Sequence, residues 1–180
     1  MPLKWWGRTR KRVKQGTTFV FQVEGEGVFR VGLVVRARKT FRNIFTGHLL
    51  YLYEPTFEHE SEVPPLEIDQ LLIPPKVIDT GSLTTGLFDL RPCGRLHESE
   101  VMPKHYFRAM LENPTTFEWE WTHVDEDDQR VDQPVLPLVD STYSNAWALE
   151  WQLADALGID TWPEEERGRL GAMMRRHVKD

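Results

Sequence analysis

The sequence predicts an α+β protein: a small, curved, mostly antiparallel β-sheet or barrel-like body followed by a C-terminal helical hairpin. Two stretches point to the sheet and a third to the helices. Gln15 to Arg38 alternates apolar and polar residues on both sides of a glycine-rich turn. Thr115 to Val124 alternates again, with Phe117, Trp119 and Trp121 on one face and Glu118 and Glu120 on the other. Tyr143 to Leu157 instead spaces Trp147, Trp151, Ala154 and Leu157 as one face of a helix. Successive strand residues point to opposite faces, whereas helix residues three and four apart share one.

Taken in order, residues 1–14 form a basic arm ahead of the first strand. Thr17 to Val23 places Phe19, Phe21 and Val23 on one face and Thr18 and Gln22 on the other. Glu24-Gly25-Glu26-Gly27 is a turn in which both glycines can take positive φ. Val28 to Val35 alternates Phe29, Val31, Leu33 and Val35 against Arg30 and Gly32, with Arg36 continuing the second face. Lys39 to Asn43 reads as a polar connection. Ile44 to Tyr53 reads as a third strand, with Leu50 and Leu52 opposing Leu49, Tyr51 and Tyr53, stopped by Glu54-Pro55 because proline cannot continue a ladder. Leu66 to Ile73, fenced by proline pairs, is expected to make one or two helical turns.

Val77-Ile78 and Gly86 to Leu90 are expected as short strands separated by a polar turn, Asp79 to Thr85. Pro92-Cys93-Gly94 reads as another turn. Pro103 to Glu112 has proline in a first helical turn and predicts a short helix ended by Asn113-Pro114. Pro134 and Pro137 punctuate an extended crossing. The first C-terminal helix has Ser141 or Ser144 as a cap and Gly158 as its stop. The second opens at Trp162-Pro163, with Glu164 to Glu166 at its positive end and Arg175, Arg176 and His177 at the other. The expected organisation is thus an arm over 1–14, a β-rich domain over 15–140, and a helical extension over 141–180 packed on it.

The 180-residue length suits one domain with an appended helical piece, and 40% hydrophobic with 28% charged residues is ordinary globular composition. Seven Trp and nine Phe predict an aromatic-rich core or binding surface. No apolar run approaches the roughly 20 residues that span a bilayer, and no signal-peptide core follows the basic arm. The single cysteine, Cys93, excludes an intramolecular disulfide. A cytoplasmic location without membrane association is therefore expected.

The formal net charge of −6 is unevenly distributed. Lys4, Arg8, Arg10, Lys11, Arg12 and Lys14 make the arm cationic, whereas acidic residues gather over Glu54 to Glu67 and Glu118 to Asp132. An acidic chain repels duplex phosphates unless one face is locally basic. Trp5 and Trp6 could stack on bases, or equally pin the arm to the body. Glu58, Glu60 and Glu62 with Asp125, Asp127 and Asp128 could form one negative patch that steers a basic partner, although acidic loops are more often simply solvated.

No catalytic constellation emerges. The histidines (His48, His59, His97, His105, His123 and His177) lack the helical i, i+4 pairing with glutamate of a zinc protease. His59 beside Glu58 and Glu60, or His97 near Glu98 and Glu100, does not offer four spaced metal ligands. Cys93 lies between Arg91 and Arg95, which would favour its thiolate, with His97 or His105 as a base, yet a lone cysteine in a turn is most often inert. Asp140-Ser141 lacks a nucleophile elbow, and Gly25-Glu26-Gly27 is followed by no helix that could receive a phosphate. A non-enzymatic protein without metal or cofactor is expected.

The segment Lys14-Gln15-Gly16-Thr17-Thr18-Phe19, the glycine turn and Phe29-Arg30-Val31-Gly32-Leu33-Val34-Val35 resemble the first hairpin of the immunity protein 26 family. The similarity extends through the aromatic third strand ending at Tyr53 and the proline-bounded segment around Leu71 to Pro75. Gly86-Leu87-Phe88-Asp89-Leu90, Arg95-Leu96 and Pro103 to Phe107 follow, so the resemblance spans roughly residues 11–110. Leu87 or Phe88 stands where that family carries tryptophan. The resemblance implies a bacterial immunity protein that binds a cognate toxin and neutralises it by stoichiometric occlusion, and the acidic stretches suit a basic toxin. Nucleic acid is not the expected partner on this reading, and the competing class is a nucleic-acid-binding β-barrel module using the basic, Trp-containing arm.

Overall fold

The computed structural model describes residues 3–23, 25–41, 45–59, 63, 65–93, 101–102, 104–112, 115–125, 127, 129–132, 140–144 and 146–159. It is a mostly β architecture. Six strands lie in one row: β5 (Asp89–Cys93), β1 (Thr17–Phe21), β2 (Phe29–Phe41), β3 (Phe45–Phe57), β4 (Lys76–Ile78) and β8 (Asp140–Ser144). The first five are mutually antiparallel, and β8 adds in parallel to β4. β6 (Phe107–Glu112) and β7 (Trp119–Val124) form a separate antiparallel pair.

Two near-continuous apolar runs, Val31 to Val35 and Leu49 to Tyr53, explain why this sheet is a middle layer. A strand with apolar residues at both parities must be buried on both faces. Phe19, Phe21, Val34, Leu50, Leu52, Ile78 and Leu90 form one core cluster, and Val20, Val31, Leu33, Val35, Leu49, Tyr51, Tyr53 and Val77 form the other. The first is closed by Leu3 and Val13 from the arm, Leu83 of α1 (Thr80–Thr84), Leu87 and Phe88, and Leu149 and Leu153 of α2 (Ala146–Ala156). The second is closed by Phe107 and Val124 of the separate hairpin, with Leu66, Ile68, Leu71, Val101 and Met102 at its margin.

The β1–β2 register explains one glycine. Phe19 pairs with Gly32, and a Cβ at Gly32 would overlap the Phe19 ring. The ring therefore lies across bare backbone and meets Phe88 edge-on at 4.9 Å between centroids. On the opposite face Tyr51 Oη accepts from Met102 N at 3.1 Å and lies 2.6 Å from His105 Nε2, joining the sheet to the approach of β6.

Several local expectations are corrected. Of the two glycines in the β1–β2 turn, Gly25 has positive φ (88°) and Gly27 does not. The turn is closed instead by Glu26 N to Val23 O (3.2 Å), Gln22 Nε2 to Glu26 O (2.8 Å) and the Glu26–Arg30 ion pair (2.6 Å). Residues 39–41 belong to β2, pairing Lys39 with Gly47 and Phe41 with Phe45. β3 runs on through Pro55, because the register shift between Arg30 and Gly32 gives the proline an irregular place in the ladder. The segment after Pro65 is no helix: Tyr53 bridges Leu71, and Glu54 N donates to Gln70 O at 2.9 Å.

The expected polar turn at 79–85 contains α1, capped by Asp79, whose carboxylate accepts from Ser82 N at 2.9 Å and Ser82 Oγ at 2.6 Å. Pro92 and Cys93 lie within β5, at the end of the strand row, where a missing N–H is tolerated. Residues 107–112, expected as helix, are β6, because pairing Phe107 with Val124 and Met110 with Trp121 outweighs helix propensity. Residues 140–144 are a strand rather than the start of a helix. Gly158 does stop α2, with φ 66°, Ile159 N to Ala154 O at 2.9 Å and Gly158 N to Asp155 O at 3.1 Å. The second C-terminal helix lies outside the described residues, and the structure describes Trp119 and Trp121 by backbone alone.

Candidate interaction surface

Of the six carboxylates expected to form a negative patch, Glu58, Asp125 and Asp127 are described, whereas Glu60, Glu62 and Asp128 lie outside the described residues. Asp125 and Asp127 share one loop. Asp125 Oδ1 accepts from Asp127 N and Gln129 N, each at 2.9 Å, and Asp125 N donates to Gln129 O at 2.9 Å. The Asp125 carboxylate is thus committed to closing its own turn. Asp127 is exposed at the tip, and Glu58 is exposed just beyond Phe57, the last residue of β3. Phe57 and Val124 belong to one core cluster, so Glu58 and Asp125 each sit one residue past it. Exposed Glu54 and Glu67 belong to the acidic stretch read from the sequence, and the Glu54–Gln70 backbone bond adds exposed Asp69, which lay outside it.

The far end of the β6–β7 hairpin carries a second feature. Phe117 has φ 60° and is 74% exposed, with Thr115, Thr116 and Glu118 exposed around it. A bulky side chain in the left-handed region costs roughly 1–2 kcal/mol, and at 74% exposure Phe117 gains little burial to offset it. The alternating pattern had assigned Phe117 to the same face as Trp119 and Trp121; instead it precedes β7 and breaks the strand conformation.

The third feature is the arm. Leu3 bridges Val23, Lys4 N donates to Gln22 O (2.8 Å), Trp6 N to Gly86 O (2.6 Å) and Thr9 N to Thr84 O (3.2 Å). Trp6 lies 6.1 Å from Phe29 between ring centroids, and Lys4 Nζ sits 4.6 Å from the Trp6 ring centroid. Gly86 (φ 117°) permits this approach, since a Cβ there would sit 2.8 Å from the Gly7 carbonyl carbon and 3.0 Å from Trp5 Cζ2. Trp5 remains 56% exposed.

Of the residues considered for catalysis, His48, His105 and Arg91 are engaged in structural contacts, His59 is exposed, and Arg95, His97 and His177 lie outside the described residues. His48 Nε2 lies 2.7 Å from Thr80 Oγ1, and buried His105 contacts Tyr51. Arg91 pairs with Asp89 at 2.9 Å rather than serving only the neighbourhood of Cys93, while Arg95 and His97 fall outside the described residues. Among the described residues no three His, Cys, Asp or Glu side chains are grouped to hold a metal, and no helix is long and apolar enough to cross a membrane. Comparison with protein-family models, curated proteins and solved structures gives no match.

Proposed function

We propose that this chain is a cytoplasmic bacterial immunity protein that neutralises a cognate toxin domain by binding and occluding it stoichiometrically, without catalysis. The observation that carries a protein-binding role is Phe117, a large apolar side chain held in solvent by a strained backbone at the tip of a two-stranded arm. Strain of this kind persists where it serves a contact, and an exposed aromatic supplies apolar area that interfaces favour. The resemblance of residues 11–110 to immunity protein 26 supplies the class of partner. Exposed Glu58 and Asp127 suit steering of a basic toxin, with Asp125 shaping the loop that presents Asp127.

The test is co-expression with the product of the adjacent upstream gene, scoring growth rescue and one-to-one co-purification. Phe117→Gly is expected to abolish rescue while retaining a cooperative thermal transition, and reversing Glu58 and Asp127 to lysine is expected to slow association. Full rescue by Phe117→Gly would remove the hairpin tip from the contact. Absence of both binding and rescue with the wild-type chain would remove that gene product as the partner.

A further inference from the structure

The basic arm has a regularity that its charge run hides. Val13 is buried, Thr9 is half-buried with its N–H on Thr84 O, and Lys11, although its side chain is 59% exposed, is tied to the body by Nζ 2.6 Å from Leu90 O and 3.8 Å from Asp89. The intervening residues, Arg8, Arg10 and Arg12, are exposed, and none has a hydrogen-bond or ion-pair partner among the described residues. Residues 3–14 contain no carboxylate. Three guanidinium groups therefore line the outer side of a segment fastened to the body, with exposed Trp5 ahead of them. Trp5 is backed by Gly86 rather than left to swing freely.

We infer that this arm is a binding site for single-stranded nucleic acid, with Arg8, Arg10 and Arg12 tracking phosphates and Trp5 stacking on one unpaired base. A positively charged track combined with an aromatic platform is the chemistry of sequence-tolerant single-strand binding. A duplex hides its base faces and leaves Trp5 without a stacking partner, and the chain's net charge of −6 opposes extended contact with both strands. The fastening bonds order the backbone before binding, which removes part of the entropic cost of association. The site is independent of Phe117 and of the toxin-binding proposal.

The experiment is fluorescence anisotropy of the full chain with labelled dT20 and U20, at 50 and 200 mM salt. Three phosphate contacts predict a loss of about 20-fold in affinity over that range. Arg8→Ala, Arg10→Ala and Arg12→Ala together should abolish this salt dependence, and Trp5→Ala should weaken binding by roughly five-fold or more at constant salt, as expected for loss of one stacked base. Circular dichroism melts matching wild type would show that these exposed substitutions leave the fold intact. Lack of saturable binding at 50 mM salt, or affinity unchanged in the triple variant, would overturn the assignment. So would binding of a 20-residue polyglutamate or a 20-base-pair duplex as tightly as dT20.

Discussion

Gly32 and Phe117 place opposite demands on a single backbone position. At Gly32 the missing side chain is what the Phe19 ring occupies, so Gly32→Ala forces either the ring or the β1–β2 pairing to shift. Overpacking of this kind costs about 1–3 kcal/mol, which urea denaturation should report as a lower midpoint with unchanged slope. At Phe117 the side chain is present where glycine fits best, so the Phe117→Gly change that should cost partner binding should leave stability unchanged or raise it by up to about 1 kcal/mol. The Gly32 requirement was half legible: the alternation put Gly32 opposite Leu33, but only the register reveals Phe19 above it. The Phe117 feature was hidden, because a period-two pattern cannot distinguish the last residue of a turn from the first of a strand.

Among the elements, strands whose partners are near in sequence were the easiest to read. The β1–β2–β3 meander follows from alternation and turn chemistry. β6 was misread because Ala109, Met110, Leu111 and Glu112 are good helix formers, and what makes them a strand is β7 beyond the intervening turn. β8 pairs in parallel with a strand far back in the chain, a contact without local signature. The short helix α1 was missed because five residues carry too little periodicity, yet its start is marked by Asp79 three residues before Ser82. That cap gives a direct test: Asp79→Ala removes the acceptor for Ser82 N and Oγ and should destabilise the fold by about 1 kcal/mol. A melting temperature equal to wild type would show that α1 holds its position through its other contacts, buried Leu83 and the Thr9–Thr84 and His48–Thr80 hydrogen bonds. The candidate surfaces follow the same logic. The acidic loops and basic arm were visible as charge runs, whereas the outward placement of Arg8, Arg10 and Arg12 required knowing which neighbours the body holds.

At the scale of the molecule, the six-stranded sheet is a partition between two cores, each closed by different parts of the chain. Leu149 and Leu153 make α2 a cover for one face rather than a peripheral attachment. Leu153→Ala should therefore cost about 2–5 kcal/mol and lower the midpoint of a single transition shared by fluorescence and circular dichroism. Separate transitions by the two probes would instead mark α2 as an independent unit. Within the C-terminal stretch, α2 reaches the core through Leu149 and Leu153, and residues beyond 159 lie outside the described residues.

Residues from the arm and from α2 belong to the same cluster, and this sets the order in which the chain can be completed on the ribosome. Among the described residues, the core against β6 and β7 is complete by Val124, whereas its counterpart waits for Leu149 and Leu153. With elongation at about 5–20 residues per second, Phe19, Phe21 and their neighbours emerge on the order of ten seconds before their last covering residues are made. A nascent chain of this protein therefore passes through a stage with one finished core and one apolar surface still open, the stage at which a chaperone has something to hold.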